Sequence, residues 1–284
     1  MILFIFKLLS FLPLRLLQAT GAGLGQLTYF LSASIRREIR GNLAQAGYHD
    51  PALARAAARE SGKSMLELPF VWLRPRAEVL AKTSTDQWHL IEEARQTGRG
   101  ILFLTPHLGC FEITAQHFAT RPDDGLPITV LYRPPRKAMF RPLLEGARRR
   151  HNLILAPADL SGVKRLVRAL RQNQAVGLLP DQVPSRGEGI FAPHFGRLAY
   201  TMTLPARLQE MSGATVLLAF GERLPKGRGW IVHIAPLHES LAGSPEQRAE
   251  QLNVALEALI RRCPSQYLWG YRRYKLPRGV VRPA

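Results

Sequence analysis

Three residues within six positions carry reactive side chains: His107, Cys110 and Glu112 of TPHLGCFEI, residues 105–113. A carboxylate bonded to one imidazole nitrogen fixes the tautomer. The other nitrogen can then take a proton from a hydroxyl as that hydroxyl attacks a carbonyl. In that arrangement the substrate supplies the nucleophile and no enzyme serine is needed. His107 and Glu112 stand five positions apart, and five steps of a continuous helix turn the second side chain about 140° from the first. The pair can meet only if His107 lies in a turn and a helix begins after it. The apolar run GILFL and the Thr105-Pro106 break permit that. Cys110 offers a different chemistry, a thiol nucleophile with His107 as base. A cysteine at a helix start also serves as a small packing residue. A turn histidine beside a helix-surface glutamate, with no chemistry at all, is the plainest reading of the pair.

The elements that must position these residues follow from periodicity. GILFLT (100–105), ITVLYR (128–133), LILAPAD (153–159) and AVGLLPD (175–181) are short apolar runs separated by helical or turn-rich segments. SGVKRLVRALRQN (161–173) is amphipathic, with Ser161 as its cap. This alternation predicts an α/β fold, a mostly parallel or mixed central sheet flanked by helices. TVLLAF and WIVHIA add two later strands, and SPEQ (244–247) starts a last helix with a capping box. Asp50 and Pro51 start an earlier one. FAPHFGRLAYTMT (191–203) reads as a loop entering a helix. In open α/β sheets ligands bind beyond the carboxyl ends of the strands. His107, Arg133, Asp159 and Asp181 stand at four such ends. Gly196 is a place where substrate could approach the backbone closely. His194 has no partner at metal-ligand spacing, His117 reads as an ordinary helix residue, and no nucleotide-binding glycine motif is present. Neither a metal nor a cofactor is expected.

The chain has 284 residues, 46% hydrophobic and 21% charged, enough for a large core, and a net charge of +18. Such a charge predicts an anionic partner. Two cysteines make no disulfide framework and fit a reducing compartment. Residues 1–35 are strongly apolar but carry Lys7 and Arg15, which does not fit a secretory signal. Leu16 to Ile35 has no charge and is long enough to span a bilayer, though its glycines and glutamines equally suit a helix lying in the membrane. Gly21 and Gly25 stand at GxxxG spacing. Arg36, Arg37 and Arg40 would keep the rest on the cytoplasmic side. The organisation expected is a membrane-anchoring segment, 1–35, followed by one α/β domain, 36–284. Arg133, Arg136, Lys137, Arg141, Arg148, Arg149, Arg150, Arg272, Arg273 and Lys275 suit phosphates and acidic sugars. The charge also fits nucleic acid, but nucleic acid explains neither the N-terminal segment nor the His/Glu placement.

TPHLGCFEI resembles the H-x4-D/E block of glycerolipid and lipid A acyltransferases. VLYRPPRKAMF (130–140), VGLLPDQVPSRGEGIFAPHFGRLAYTMTLPARL (176–208) and SQYLWGYRRYK (265–275) are similar, in order and spacing, to the Kdo-dependent late acyltransferases of lipid A biosynthesis. The resemblance runs over nearly the whole chain. It implies transfer of a fatty acyl chain from acyl carrier protein to a hydroxyl of a lipid A precursor, at the cytoplasmic face of the bacterial inner membrane. It implies His107 as base with Glu112 as its orienting partner. It places Arg133 in the active site, and it matches Asp181 and Gln182 to the Pro-Asp-Gln block. Arg272 and Arg273 fall in its last block. GCFE stands where many relatives have GNWE, which leaves both acid–base residues in place. Other lipid acceptors, such as a glycolipid, a phospholipid or an ornithine-type lipid, and acyl-CoA as donor, remain open. A basic membrane-surface binding protein without activity is the remaining alternative.

Overall fold

The computed structural model describes residues 2–120, 127–132, 152–237 and 241–283. Six helices precede the main sheet: α1 Ile2–Ser10, α2 Leu14–Leu31, α3 Ala33–Gln45, α4 Pro51–Leu66, α5 Leu68–Leu73 and α6 Arg76–Leu80. Then come β1 Thr83–Ser84, α7 Trp88–Gln96, β2 Ile101–Leu104, α8 Phe111–Thr120, β3 Ile128–Tyr132, β4 Leu153–Pro157, α9 Leu160–Arg171 and β5 Ala175–Leu178. The chain finishes with β6 Gly189–His194, β7 Arg197–Met202, α10 Leu204–Ser212, β8 Thr215–Arg223, β9 Trp230–Pro236 and α11 Pro245–Arg262.

Seven strands form one sheet in the order β1-β9-β8-β2-β5-β3-β4, parallel throughout except for the β8–β9 pair. All four residues of β2 and of β5 are buried, because both faces of the sheet are covered. One core packs Leu102, Leu104 and Val176 against Leu166, Leu208 and Leu256. The other packs Ile101, Phe103 and Ala175 against Trp88, Ile113 and Phe118. The expected α/β class and its four parallel strands are therefore present. Asp50 caps α4 through Ala52 N–H at 2.8 Å, and Ser244 with Gln247 closes the capping box of α11.

Two expectations need correction. The segment 191–203 is not a loop but an antiparallel hairpin, β6–β7, turning at Phe195-Gly196 with both residues at positive φ. Helix α9 is capped not by Ser161 but by Asp159, whose carboxylate accepts from the N–H groups of Ser161 and Gly162.

The N-terminal stretch differs as well. Leu16 to Ile35 is not one helix: α2 ends at Leu31, Ser32 is extended, and its hydroxyl caps α3. Among the described residues no helix is long and apolar enough to cross a membrane. Gly21 and Gly25 lie against Ala58 and Gly62 of α4, so closely that a Cβ on Gly25 would stand 2.1 Å from the Ala58 carbonyl oxygen. The GxxxG spacing thus joins two helices of one chain. Phe4 and Leu8 of α1, Phe11 in the turn after it, and Leu27, Phe30 and Leu31 of α2 are exposed.

A buried ion pair fastens this helical layer to the sheet. Arg223, at the end of β8, is 3% exposed and donates to both carboxylate oxygens of the fully buried Glu67. It also meets Glu60 at 2.7 Å. Burial alone would lower the guanidinium pKa, but Glu67 and Glu60 reverse that and raise it. Glu67 in turn accepts from Gln18 of α2 and from the Trp230 indole. Removing one partner strands the other charge out of water. Glu67→Ala is expected to cost about 3–5 kcal/mol of unfolding free energy, and Glu67→Leu with Arg223→Met distinctly less, in urea titrations followed by tryptophan fluorescence.

Candidate active site

Strands β2 and β5 are neighbours, with Leu104 in register with Leu178. Three residues beyond each, the chain places His107 and Asp181. One Asp181 oxygen lies 2.7 Å from His107 Nδ1, and the other accepts the His107 backbone N–H at 2.9 Å. Asp181 is 2% exposed. Burial opposes its charge, but the His107 ring and N–H, with the charge of Arg273, outweigh burial and hold the carboxyl below its ordinary range. An ionised Asp181 accepts from Nδ1–H and fixes the tautomer that leaves the Nε2 lone pair available. Gln182 Nε2 stands 3.2 Å from that nitrogen, and the Phe111 ring lies 4.8 Å from the imidazole.

The turn that carries His107 is held from four directions. Thr105 N–H reaches the Leu178 carbonyl, Gly109 N–H the Gln266 carbonyl and Cys110 N–H the Gly221 carbonyl, while Leu268 N–H returns to the His107 carbonyl. Gly109 sits at φ +62, and a Cβ there would lie 1.9 Å from the Gly221 oxygen, so only glycine fits. Helix α8 starts at Phe111. The break required between His107 and Glu112 is therefore where the sequence reading put it.

His107, Glu112, Gln182, Tyr271 and Lys275 all line one cavity of about 610 Å3. Glu112 is 8% exposed and accepts from the Trp72 indole at 3.1 Å. Among the described residues no hydrogen bond joins Glu112 to the His107 ring, and the carboxylate on Nδ1 is that of Asp181. Asp159 and His117 also face the cavity, His117 edge-on to Trp88. Cys110 is buried outside it. Burial first, then the Glu67 charge, push its thiol well above the ordinary range, so it packs as a neutral side chain.

Other residues singled out by sequence lie elsewhere. Arg273 is 3% exposed and donates to the Tyr200 carbonyl and the Thr201 hydroxyl inside the β6–β7 hairpin. Arg272 points outward to Glu38 and Ser34. Gly196 is the hairpin tip, at φ +74, and does not line the cavity. His194 is buried, and burial lowers its pKa to about 3, so it stays neutral. Arg133, Arg136, Lys137, Arg141 and Arg148 to Arg150 lie outside the described residues. Tyr271 and Lys275 line the cavity; sequence reasoning passed over Tyr271 and took Lys275 only as one of the basic residues suited to phosphates. They belong to the same YRRYK run as Arg272 and Arg273, and only the path of the chain shows which side chains turn inward. Tyr267, beside Asp181, is kept a neutral phenol by burial and by that carboxylate.

The chain is 27% identical over 222 residues to the lipid A biosynthesis lauroyltransferase of Escherichia coli K12, covering 77% of this chain and 71% of that one. It is 27% identical over 220 residues to the palmitoleoyltransferase of the same strain, covering 76% and 69%. With that strain's lipid A biosynthesis myristoyltransferase it shares 24% over 232 residues, covering 80% and 69%. Residues 1–276 match the family described as bacterial lipid A biosynthesis acyltransferase. A chain matched over almost its full length, with a carboxylate-held histidine at the strand ends, belongs to the bacterial lipid A biosynthesis acyltransferase family and is an O-acyltransferase.

Proposed function

We propose that this enzyme transfers a fatty acyl chain from the thioester of an acyl carrier protein to a hydroxyl of a lipid A precursor. His107 is the general base. The observation that carries this is the His107 ring, held by Asp181 on Nδ1 with Nε2 on the wall of a largely apolar cavity. The acceptor hydroxyl takes the place beside Nε2 now bridged by Gln182 and gives up its proton there. Its oxygen attacks the thioester carbonyl. The tetrahedral intermediate collapses with loss of the thiol, which takes the proton back from the imidazolium. Asp181 orients the ring and stabilises its protonated form. Glu112, a second carboxylate in the wall, adds negative charge that favours the same form. The family resemblance supports Arg133 as the group that holds the oxyanion. Lys275 on the cavity wall and Arg272 on the surface suit the phosphates of the acceptor. The similarity to lauroyl-, palmitoleoyl- and myristoyltransferases of lipid A biosynthesis supports the acceptor and the fatty nature of the donor.

The first 35 residues are the membrane-contacting part of the proposal, and residues 36–284 form the catalytic domain. Helices α1 and α2 lie flat on the domain, apolar side outward, with Lys7, Arg15, Arg37 and Arg40 exposed nearby. That arrangement suits an interfacial segment on an anionic leaflet, and it supports a site of action at the cytoplasmic face of the inner membrane.

Three measurements test these statements. Lipid A from cells with and without the protein, compared by mass spectrometry, should differ by one secondary acyl chain; identical profiles would refute the acceptor. Purified His107→Ala, Glu112→Ala and Asp181→Asn should each lose at least ~10²-fold in transfer with unchanged circular dichroism. Wild-type turnover in Asp181→Asn would return the orienting role to Glu112. Replacing Leu27, Phe30 and Leu31 together by serine should weaken flotation with anionic vesicles by at least ~10²-fold, since each buried apolar side chain contributes about 1.5–3 kcal/mol. Undiminished flotation would show that this surface does not meet lipid.

A further inference from the structure

The cavity continues away from His107 along one face of the sheet. Phe103, Gly177 and Val130 stand side by side on β2, β5 and β3, since Phe103 and Val130 are each in register with Gly177. All three line the cavity, and so do Ile128 and Leu153, the first residues of β3 and β4. The space therefore runs from the carboxyl ends of the strands to their amino ends, beneath α7 and α8. Ala115 lines it from α8, and Trp88 and Ile91 line it from α7.

Gly177 is out of place by ordinary strand logic. It is buried in a central strand between two others, and glycine there loses packing and entropy. Its φ is not positive, so the backbone does not require glycine. A Cβ at this position would meet only side chains, Val130 Cγ1 at 3.0 Å and Ile128 Cδ1 at 3.6 Å. What the missing side chain supplies is room, at the level where the cavity passes between sheet and α8.

Resting on the acyl-transfer reading, we propose that this branch holds the fatty chain of the donor and that Gly177 sets the chain length the enzyme accepts. Thr105 lies four residues above the level of Ile128, because Ile128 and Ile101 are both in register with Ala175. Four residues of parallel strand span about 13 Å. A zigzag of C–C bonds of about 1.5 Å advances roughly 1.3 Å per carbon, so the branch takes on the order of ten carbons. Gly177 stands halfway along. A larger side chain there closes the passage to the distal half of the chain and leaves the carbonyl end at His107 untouched.

The test uses the full-length enzyme with saturated donors of 6 to 16 carbons, on acyl carrier protein and on coenzyme A. The same fatty acids displace a fluorescent fatty acid from the protein in a parallel measurement. Gly177→Val should lose at least tenfold in kcat/KM for the chain the wild type prefers, relative to the six-carbon donor, with Gly177→Ala intermediate. Displacement should shift to shorter chains in the same order. Ala115→Val, on the facing helix, should shift it likewise and serves if Gly177→Val lacks a cooperative thermal transition. An unchanged length profile in these variants, or a loss equal at every length, overturns the proposal while leaving acyl transfer intact. Wild type that transfers no chain from any donor, yet shows length-dependent displacement abolished by Gly177→Val, overturns the reaction and upholds the chain site.

Discussion

The Arg223–Glu67 ion pair is the constraint on which the other layers depend. Two charges so deeply buried are tolerable only in a nearly complete shell of partners. That shell draws together elements distant in sequence. Ser64 accepts from the Arg223 guanidinium and donates to the Gly109 carbonyl at 3.0 Å. Gln266 takes the Arg223 N–H on its side chain and the Gly109 N–H on its carbonyl. One network therefore fixes the N-terminal helices to β8 and, through Ser64 and Gln266, sets the turn on which His107 stands. The surface proposed to meet lipid and the group proposed to deprotonate the acceptor are joined through one hydrogen-bond network.

A second buried charge holds the His107 ring. Asp181 grips His107 by ring and backbone together: the backbone N–H fixes the carboxylate, and the imidazole cannot rotate without breaking its bond to that carboxylate. The cost is a carboxylate almost without solvent. Arg273 offsets it from within the hairpin, where Thr201, Asn253 and the Tyr200 carbonyl occupy the guanidinium. An arginine of this kind looks, in sequence, like a phosphate ligand. Its charge here adds, after the His107 contacts, to what keeps Asp181 ionised inside the protein.

The strands and their mostly parallel direction were legible because uninterrupted apolar runs of four or five residues, such as ILFL and AVGL, are what a sheet covered on both faces demands. The caps at Asp50 and Ser244 were legible because capping is local. The β6–β7 hairpin was not, since its turn residues, Phe195 and Gly196, lack the Asn-Gly or Asp-Gly signature and a proline interrupts β6. The uncharged run from Leu16 to Ile35 satisfied a length rule for spanning. Its glycines meet α4, and the helix breaks at Ser32, so among the described residues the run does not form one long apolar helix.

What the sequence determined by itself was the class of fold, the break before α8 and the family. All of these rest on local pattern or on ordered blocks of motif. The tertiary structure decided which carboxylate holds His107. Glu112 was the only candidate within reach along the chain, whereas Asp181 comes from 74 positions away because β2 and β5 are paired in register. It also decided which of the YRRYK side chains face the cavity, and it showed that Gly177 leaves a passage open. Register and the packing of one element on another are long-range properties, and no spacing in a single chain encodes them.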